Sequence, residues 1–350
     1  MIQLQLLESR DVPATYTVIT DEDNAINPPV GSLREAIRFA NDNKNGNTPD
    51  IIDFNIGNGD QVIKLVGAEL PAIDDAVIID GSTRPEGKPA QRIILDGALV
   101  PLQPVLLPPP RCGLSFITTL GNVPRSSSDS RVLGLVFKSF DIAVLIENVS
   151  RVQIGGVGLN QENMFGFNRE AAVQIAQTLP QFKTDGNNIA GNTFGMIPSE
   201  DESKNKMGIV VSGDKVTGTI IFGNVIVNNY SCGISIDGAD ETHILKNLIG
   251  TPNGIDKAGN GTGIEVYGKA QGTHIGGAAK VNAAGFIEEP VNVISGNFTG
   301  ITLSPTAGVV RPRTRSAGAR PGITGIQASP QLLKFQGFRT TPAVRLVLQP

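Results

Sequence analysis

Along most of this chain, apolar residues come in short runs broken by turn residues, and that pattern predicts strands. The runs DIIDFNI, QVIKL, AVIIDGST and RIILDG fall between residues 50 and 97. Brief stretches rich in Ile and Val and bounded by Gly, Asp and Pro form strands. One stretch has another period. In GSLREAIRFANDN, Leu33, Ala36, Ile37 and Ala40 share a face, Ser32 can cap the first turn, and Glu35 can reach back as the other half of a capping box. A short amphipathic helix is predicted over 33–42, and it needs a surface to lie on. PLQPVLLPPP, at 101–110, interrupts the pattern and predicts an exposed connection.

From about residue 130 the pattern repeats itself. Gly-Ile pairs open strands at Gly208, Gly233, Gly263 and Gly300, and Asn-x-Ile or a close variant stands at Asn188, Asn224, Asn247 and Asn292. Thr-x-Ile stands between them at Thr219, Thr242 and Thr273. Thr219 to Thr242 and Asn224 to Asn247 are each 23 residues apart, and Gly208 to Gly233 is 25. Periods of this size mean stacked repeats. Three short strands per repeat with no helix between them exclude leucine-rich, ankyrin and tetratricopeptide arrays, which leaves a parallel β-helix.

The physical logic agrees. In Gly233-Ile-Ser-Ile-Asp237 the two Ile side chains point one way and Ser235 and Asp237 the other, which predicts an aliphatic bore and a wet exterior. Gly supplies corner backbone angles, and Asn side chains one rung apart, ~4.8 Å, can hydrogen-bond in a ladder. The expected fold class is all-β, a right-handed parallel β-helix with a short N-terminal capping helix. Its expected parts are an N-terminal cap with the first coils over 1–129, about seven coils over 130–304 on a repeat of this length, and an irregular basic Pro/Arg-rich tail over 305–350. An open solenoid end invites aggregation, and the helix at 33–42 is placed to plug one.

GSLREAIRFAND, DIIDFNI, ELPAI and VIIDGST, followed by RVLGLVFKSF, NLIGT, GTHIGG and NVISGN, resemble the right-handed parallel β-helix repeat proteins of large bacterial exported and surface proteins. The preceding LLESRDVPATYTV is similar to the N-terminal lead of some of them, so the likeness runs over roughly residues 5–304. It implies the solenoid and an extracellular or cell-surface location. Relatives of that fold include polysaccharide lyases, hydrolases and epimerases, and many have no assigned activity.

Composition adds bounds. With 40% hydrophobic and 18% charged residues in 350, the chain can bury a substantial core unaided. Its net charge of −4 creates no field suited to a polyanion. The charge is uneven: no Asp or Glu follows Glu289, whereas Arg311, Arg313, Arg315, Arg320, Lys334, Arg339 and Arg345 do. Those basic residues are not interleaved with aromatics, and no nucleic-acid partner is expected. Cys112 and Cys232 are too few for a disulfide framework and lack zinc-site spacing, so two free buried thiols are expected. No stretch approaches the ~20 apolar residues of a membrane span, and residues 1–14 lack a secretory-signal profile. A monomer is expected.

Candidate chemistry follows from the register. One outward column holds Val210, Ser235, Glu265 and Thr302, and the next holds Ser212, Asp237, Tyr267 and Ser304. Asp237 and Glu265 are then diagonal neighbours with α-carbons about 8 Å apart, against the ~6.5–9.5 Å between carboxyl groups of an inverting glycosidase. Polar residues are also the default on any solvated sheet. Asp240 and Glu241 lie close by in the next corner, and Tyr267 could stack on a sugar. His243 and His274 should share an outward column with Ile220, without a carboxylate to complete a metal site. The loop PNGIDKAGNGTG offers Asp256, Asn253 and Asn260, in neither an EF-hand nor a nonapeptide calcium spacing, so no metal or cofactor is assigned. Acyl, phosphoryl and hydride-transfer motifs are missing. The expected function is a non-catalytic exported or surface module serving as a rigid spacer or glycan-binding surface. The alternative is a carbohydrate-active enzyme with Asp237 and Glu265 as acid and base. Long loops walling in those acids would distinguish the enzyme.

Overall fold

The computed structural model describes residues 13–44, 48–82, 92–101, 110–120, 125–198, 200–276, 291–304 and 307, and the backbone course of 280–281, 287–288, 309–310 and 314–315. Most of the proline-rich connection at 101–110 and most of 305–350 lie outside these residues. The chain is an all-β, right-handed parallel β-helix. It winds through three parallel sheets: a first of 10 strands beginning at Thr15–Val18, a second of 9 beginning at Gln61–Lys64, and a third beginning at Cys112–Thr119. Between residues 130 and 304 each sheet gains six strands among the described residues, so six coils stand where the repeat length suggested about seven. Loops such as 251–261 lengthen individual coils beyond the basic period. Val309–Val310 and Thr314–Arg315 extend the first and second sheets past residue 304.

The aliphatic columns share one interior. Ile209, Ile234, Ile264 and Ile301 lie in register on successive coils, as do Val211, Ile236, Val266 and Leu303, and the first three of each column are fully buried. Each Ile so buried contributes about 1.5–3 kcal/mol. Phe137, Phe165 and Phe194 form a further column, with ring centroids 5.1 and 4.8 Å apart and planes within 9°. The rung spacing of ~4.8 Å makes identical planar residues stack.

Two columns of asparagines, all buried but Asn297, line the corners on either side of the second sheet. One runs Asn163, Asn192, Asn224, Asn247, Asn292, each Nδ2 donating to the next Oδ1 at 3.0–3.1 Å. The other runs Asn168, Asn205, Asn229, Asn260, Asn297 at 2.8–3.0 Å. Backbone N–H groups that the corners would otherwise strand donate to these same side-chain oxygens, as Asn224 N does to Asn247 Oδ1 at 2.9 Å.

The one α-helix among the described residues, α1, spans Leu33–Asp42, and the Ser32 side chain accepts from Glu35 N at 3.2 Å. Its capping box is shifted by one residue: Glu35 closes on the Gly31 N–H at 2.6 Å, because Ser32 N already donates to the Pro29 carbonyl. Leu33, Ala36, Ile37 and Ala40 face the common core. Asn41 donates to the Ala72 carbonyl and accepts from Asp74 N, while Ile73 between them pairs with Phe116 of the third sheet. The helix thus stands where an additional third-sheet strand would stand, and it closes that end of the bore.

A buried ionic cluster borders this end of the third sheet. The Asp141 carboxylate accepts from Arg111 N at 2.9 Å, Arg111 Nε at 3.2 Å and Arg169 Nε at 2.7 Å. Burial pushes this carboxyl up, but the arginine donors outweigh burial and hold it below its ordinary value. A depressed carboxylate contributes stability that is complete above its unfolded pKa of ~3.9 and lost as pH falls through the lower folded value. Asp141→Asn is therefore expected to cost about 2 kcal/mol in urea unfolding near neutral pH, with the deficit narrowing below about pH 4. A deficit constant down to about pH 3 would contradict this linkage.

Candidate functional site

The third sheet carries the predicted acids in the predicted register. Val210 pairs with Ser235, Ser235 with Glu265, Glu265 with Thr302, and Asp237 with Tyr267. Asp237 and Glu265 are therefore diagonal neighbours. The exterior here is drier than the alternation implied, since Ser235 is only 2% exposed and Val210 is also buried. Tyr267 leans over Ser235, its hydroxyl 3.5 Å from Ser235 Oγ. Tyr267 and Ser235 occupy the other diagonal of the same square, so the tyrosine crosses the space between the two carboxylates.

His243 and His274 are in register with Ile220, and their rings stack at 4.5 Å between centroids. Among the described residues no group of three or more His, Cys, Asp or Glu side chains is placed to hold a metal ion. The 251–262 loop does not gather its oxygens. Asn260 is buried in the second asparagine ladder, and Asn253 is turned onto its own loop, accepting from Ile255 N and Asp256 N and donating to Asp256 at 2.7 Å. Cys112 and Cys232 are free and buried, and burial pushes both thiols up to about 12.

A groove of about 520 Å³ lies at the corner between the third and first sheets. Four successive coils line it, with Gln181, Phe182 and Lys183 from one, Asp214, Lys215 and Thr217 from the next, then Asp240 and Glu241, then Gln271 and Gly272. Of the residues singled out from the sequence it gathers Asp240 and Glu241, and leaves Asp237, Glu265, Tyr267, His243 and His274 outside. Backbone register sets the walls: Asp240 N donates to the Val216 carbonyl at 2.8 Å and Glu241 N to the Gln271 carbonyl at 2.8 Å. Asp240 Oδ1 accepts from Gln271 N at 2.7 Å, and Glu241 Oε2 from Thr217 Oγ1 at 3.3 Å. Lys215 Nζ donates to the Pro180 carbonyl, and Lys183 Nζ sits 3.1 Å from Asp185.

Glu241 occupies a costly position. Its φ of 50° is left-handed, at a corner where the two preceding coils have Gly186 and Gly218 and the following coil Gly272. A side chain there costs about 1 kcal/mol or more over glycine. Gly272 leaves room beside it, since a methyl group at that glycine would lie 3.3 Å from Glu241 Cγ. Asp214, Lys215, Lys183 and Phe182 escaped the sequence reading because they sit in turns of unequal length that carry no repeat. The signal that could have found them is the charged turn following each third-sheet strand, GDK at 213–215 and GADE at 238–241.

No family model matches the chain, and no curated protein does. Solved structures similar to it include jun a 1, the major allergen from cedar pollen, at 12% identity over 87% of this chain and 82% of that one, with a TM-score of 0.46. The A-module of the mannuronan C-5 epimerase AlgE6 from Azotobacter vinelandii is similar at 15% identity, covering 88% and 90%, with a TM-score of 0.33. ORF18 of Geobacillus virus E2 is similar at 11%, covering 86% and 60%, with a TM-score of 0.30. These are likenesses of chain path alone, and the fold itself rests on the strand register.

Proposed function

We propose that this chain is a non-catalytic, exported or surface-associated β-helix module that binds an extended polysaccharide along the groove between the third and first sheets. The observation that carries this reading is the lining of one groove by four successive coils, which makes it a track along the solenoid axis. Three rung spacings give it a length of about 14 Å, and its volume is within the range of ligand sites. Carboxylates, amides and a hydroxyl suit the donors and acceptors of sugar hydroxyls, and Phe182 offers an apolar face. The left-handed Glu241 marks strain kept at a place where glycine serves the neighbouring coils. Two features favour binding over turnover: the groove is not lined by Asp237 or Glu265, and Tyr267 crosses the space a reacting sugar or water would need between them.

A panel of soluble polysaccharides assayed for both retention and product release tests this. Asp240→Ala and Glu241→Ala are each expected to weaken binding about tenfold, the loss of one charge-assisted contact, while Asp237→Asn and Glu265→Gln leave it unchanged. Release of reducing ends or unsaturated products that Asp237→Asn abolishes would overturn the proposal in favour of the enzyme.

A further inference from the structure

The opposite edge of the third sheet carries a second feature. Immediately after each rung of the second asparagine ladder comes one corner residue, giving the column Arg169, Lys206, Tyr230, Gly261, Phe298. Backbone bonds of 3.0 Å from Tyr230 N to the Asn205 carbonyl, Gly261 N to Asn229 and Phe298 N to Asn260 hold these corners in step. Tyr230 is 63% exposed and Phe298 89%. They stand two rungs apart, about 9.6 Å, and Gly261 between them puts no side chain in the interval. In a chain with no Trp and 3 Tyr, two bare rings in one column are a concentrated investment of aromatic surface.

Two lysines lie along the same corner. Lys206 is one rung before Tyr230, and Lys257, on the loop whose Ala258 carbonyl accepts from Asn228 N, brings its α- and β-carbons close to Gly296, two residues before Phe298. Neither lysine forms an ion pair among the described residues.

We infer that this corner is a second saccharide track, on which an acidic polysaccharide lays alternate sugar faces on Tyr230 and Phe298 and its carboxylates against Lys206 and Lys257. The inference shares with the proposed function only its ligand class. The two tracks run parallel on either edge of the third sheet, separated by its six-residue strands, about 20 Å.

The test is affinity electrophoresis of the whole chain through gels containing polygalacturonate or neutral dextran. Tyr230→Ser and Phe298→Ser are each expected to weaken retention by polygalacturonate about tenfold, with unchanged melting temperature because both side chains are exposed, whereas Tyr230→Phe retains binding. Lys206→Gln with Lys257→Gln should abolish the preference for polygalacturonate over dextran. Loss with Asp240→Ala but not with Phe298→Ser overturns this track and leaves the groove. Loss with Phe298→Ser but not with Asp240→Ala supports this track, and the groove is then judged on the polysaccharide panel. Failure of the unaltered chain to be retained by polygalacturonate overturns this track, while the groove stands or falls on the polysaccharide panel. A wild-type dimer in sedimentation that Phe298→Ser dissolves would overturn the saccharide reading in favour of self-docking.

Discussion

Gly195→Ala is expected to destabilise the fold by about 4 kcal/mol or to prevent folding, because two separate costs fall on one methyl group. Gly195 has a φ of 83°, where an L residue is strained by about 1–2 kcal/mol. The added Cβ would also land on the Val227 carbonyl oxygen of the next coil, 2.9 Å from its carbon. That carbonyl cannot step aside. It accepts from Asn229 Nδ2 at 2.9 Å, and Val227 N donates to Phe194 at 2.9 Å, so moving it opens both an asparagine ladder and the rung beneath the phenylalanine stack. Gly223→Ala separates the two costs. Its φ of 66° is of the same kind, but nothing lies within 4 Å of the new methyl, so only the backbone cost of about 1–2 kcal/mol is expected. Urea midpoints measure both variants, and equal losses would show that close approach of the coils contributes nothing.

Asn224→Ala is expected to cost a similar amount, about 4 kcal/mol, by a different route. Asn224 Oδ1 accepts from Asn192 N at 2.9 Å and Asn192 Nδ2 at 3.1 Å, and its Nδ2 donates to the Ile189 carbonyl and Asn247 Oδ1. Truncation leaves the Asn192 N–H without a partner in a dry interior, at about 1–3 kcal/mol, and removes three further hydrogen bonds at about 0.5–1.5 kcal/mol each, while Asn192 Nδ2 keeps the Ile154 and Ala190 carbonyls. A loss under about 1 kcal/mol in urea unfolding would mean that these groups are otherwise satisfied.

Much of this architecture could be read from residues 31–43 and from the three stations. The helix was legible because Ser32, Glu35 and the four apolar residues carry cap and face in one short stretch. The third-sheet columns were legible because Gly208, Gly233, Gly263 and Gly300 open strands of one pattern, whatever loop separates them. The asparagine ladder through Asn224 and Asn247 showed itself by one even interval. Its partner did not, since Asn168, Asn205, Asn229, Asn260 and Asn297 are 37, 24, 31 and 37 residues apart. Loops of variable length hide a spatial period from the sequence while leaving the rung spacing untouched. The same loops hid the groove, of which Asp240 and Glu241 were legible beforehand but Lys183, Asp214 and Lys215 were not. The outward position of Tyr267 followed from alternation. Its lean onto Ser235 did not, because a long side chain on a flat sheet chooses its direction from its neighbours.

The asparagine ladders have one further consequence, in how the rod wears at its two ends. In both rows the oxygen that satisfies a corner comes from the following winding: Leu135 N relies on Asn163, Asn163 N on Asn192, Asn192 N on Asn224, and Asn247 N on Asn292. Stripping a winding from the late end strands these corner donors, and stripping one from the early end strands others, since Asn192 Nδ2 donates back to the Ile154 carbonyl, Asn224 Nδ2 to the Ile189 carbonyl and Val225 N to the Asn192 carbonyl. Losing a winding therefore bares buried donors whichever end goes first, and each end has to be guarded, the early one by α1.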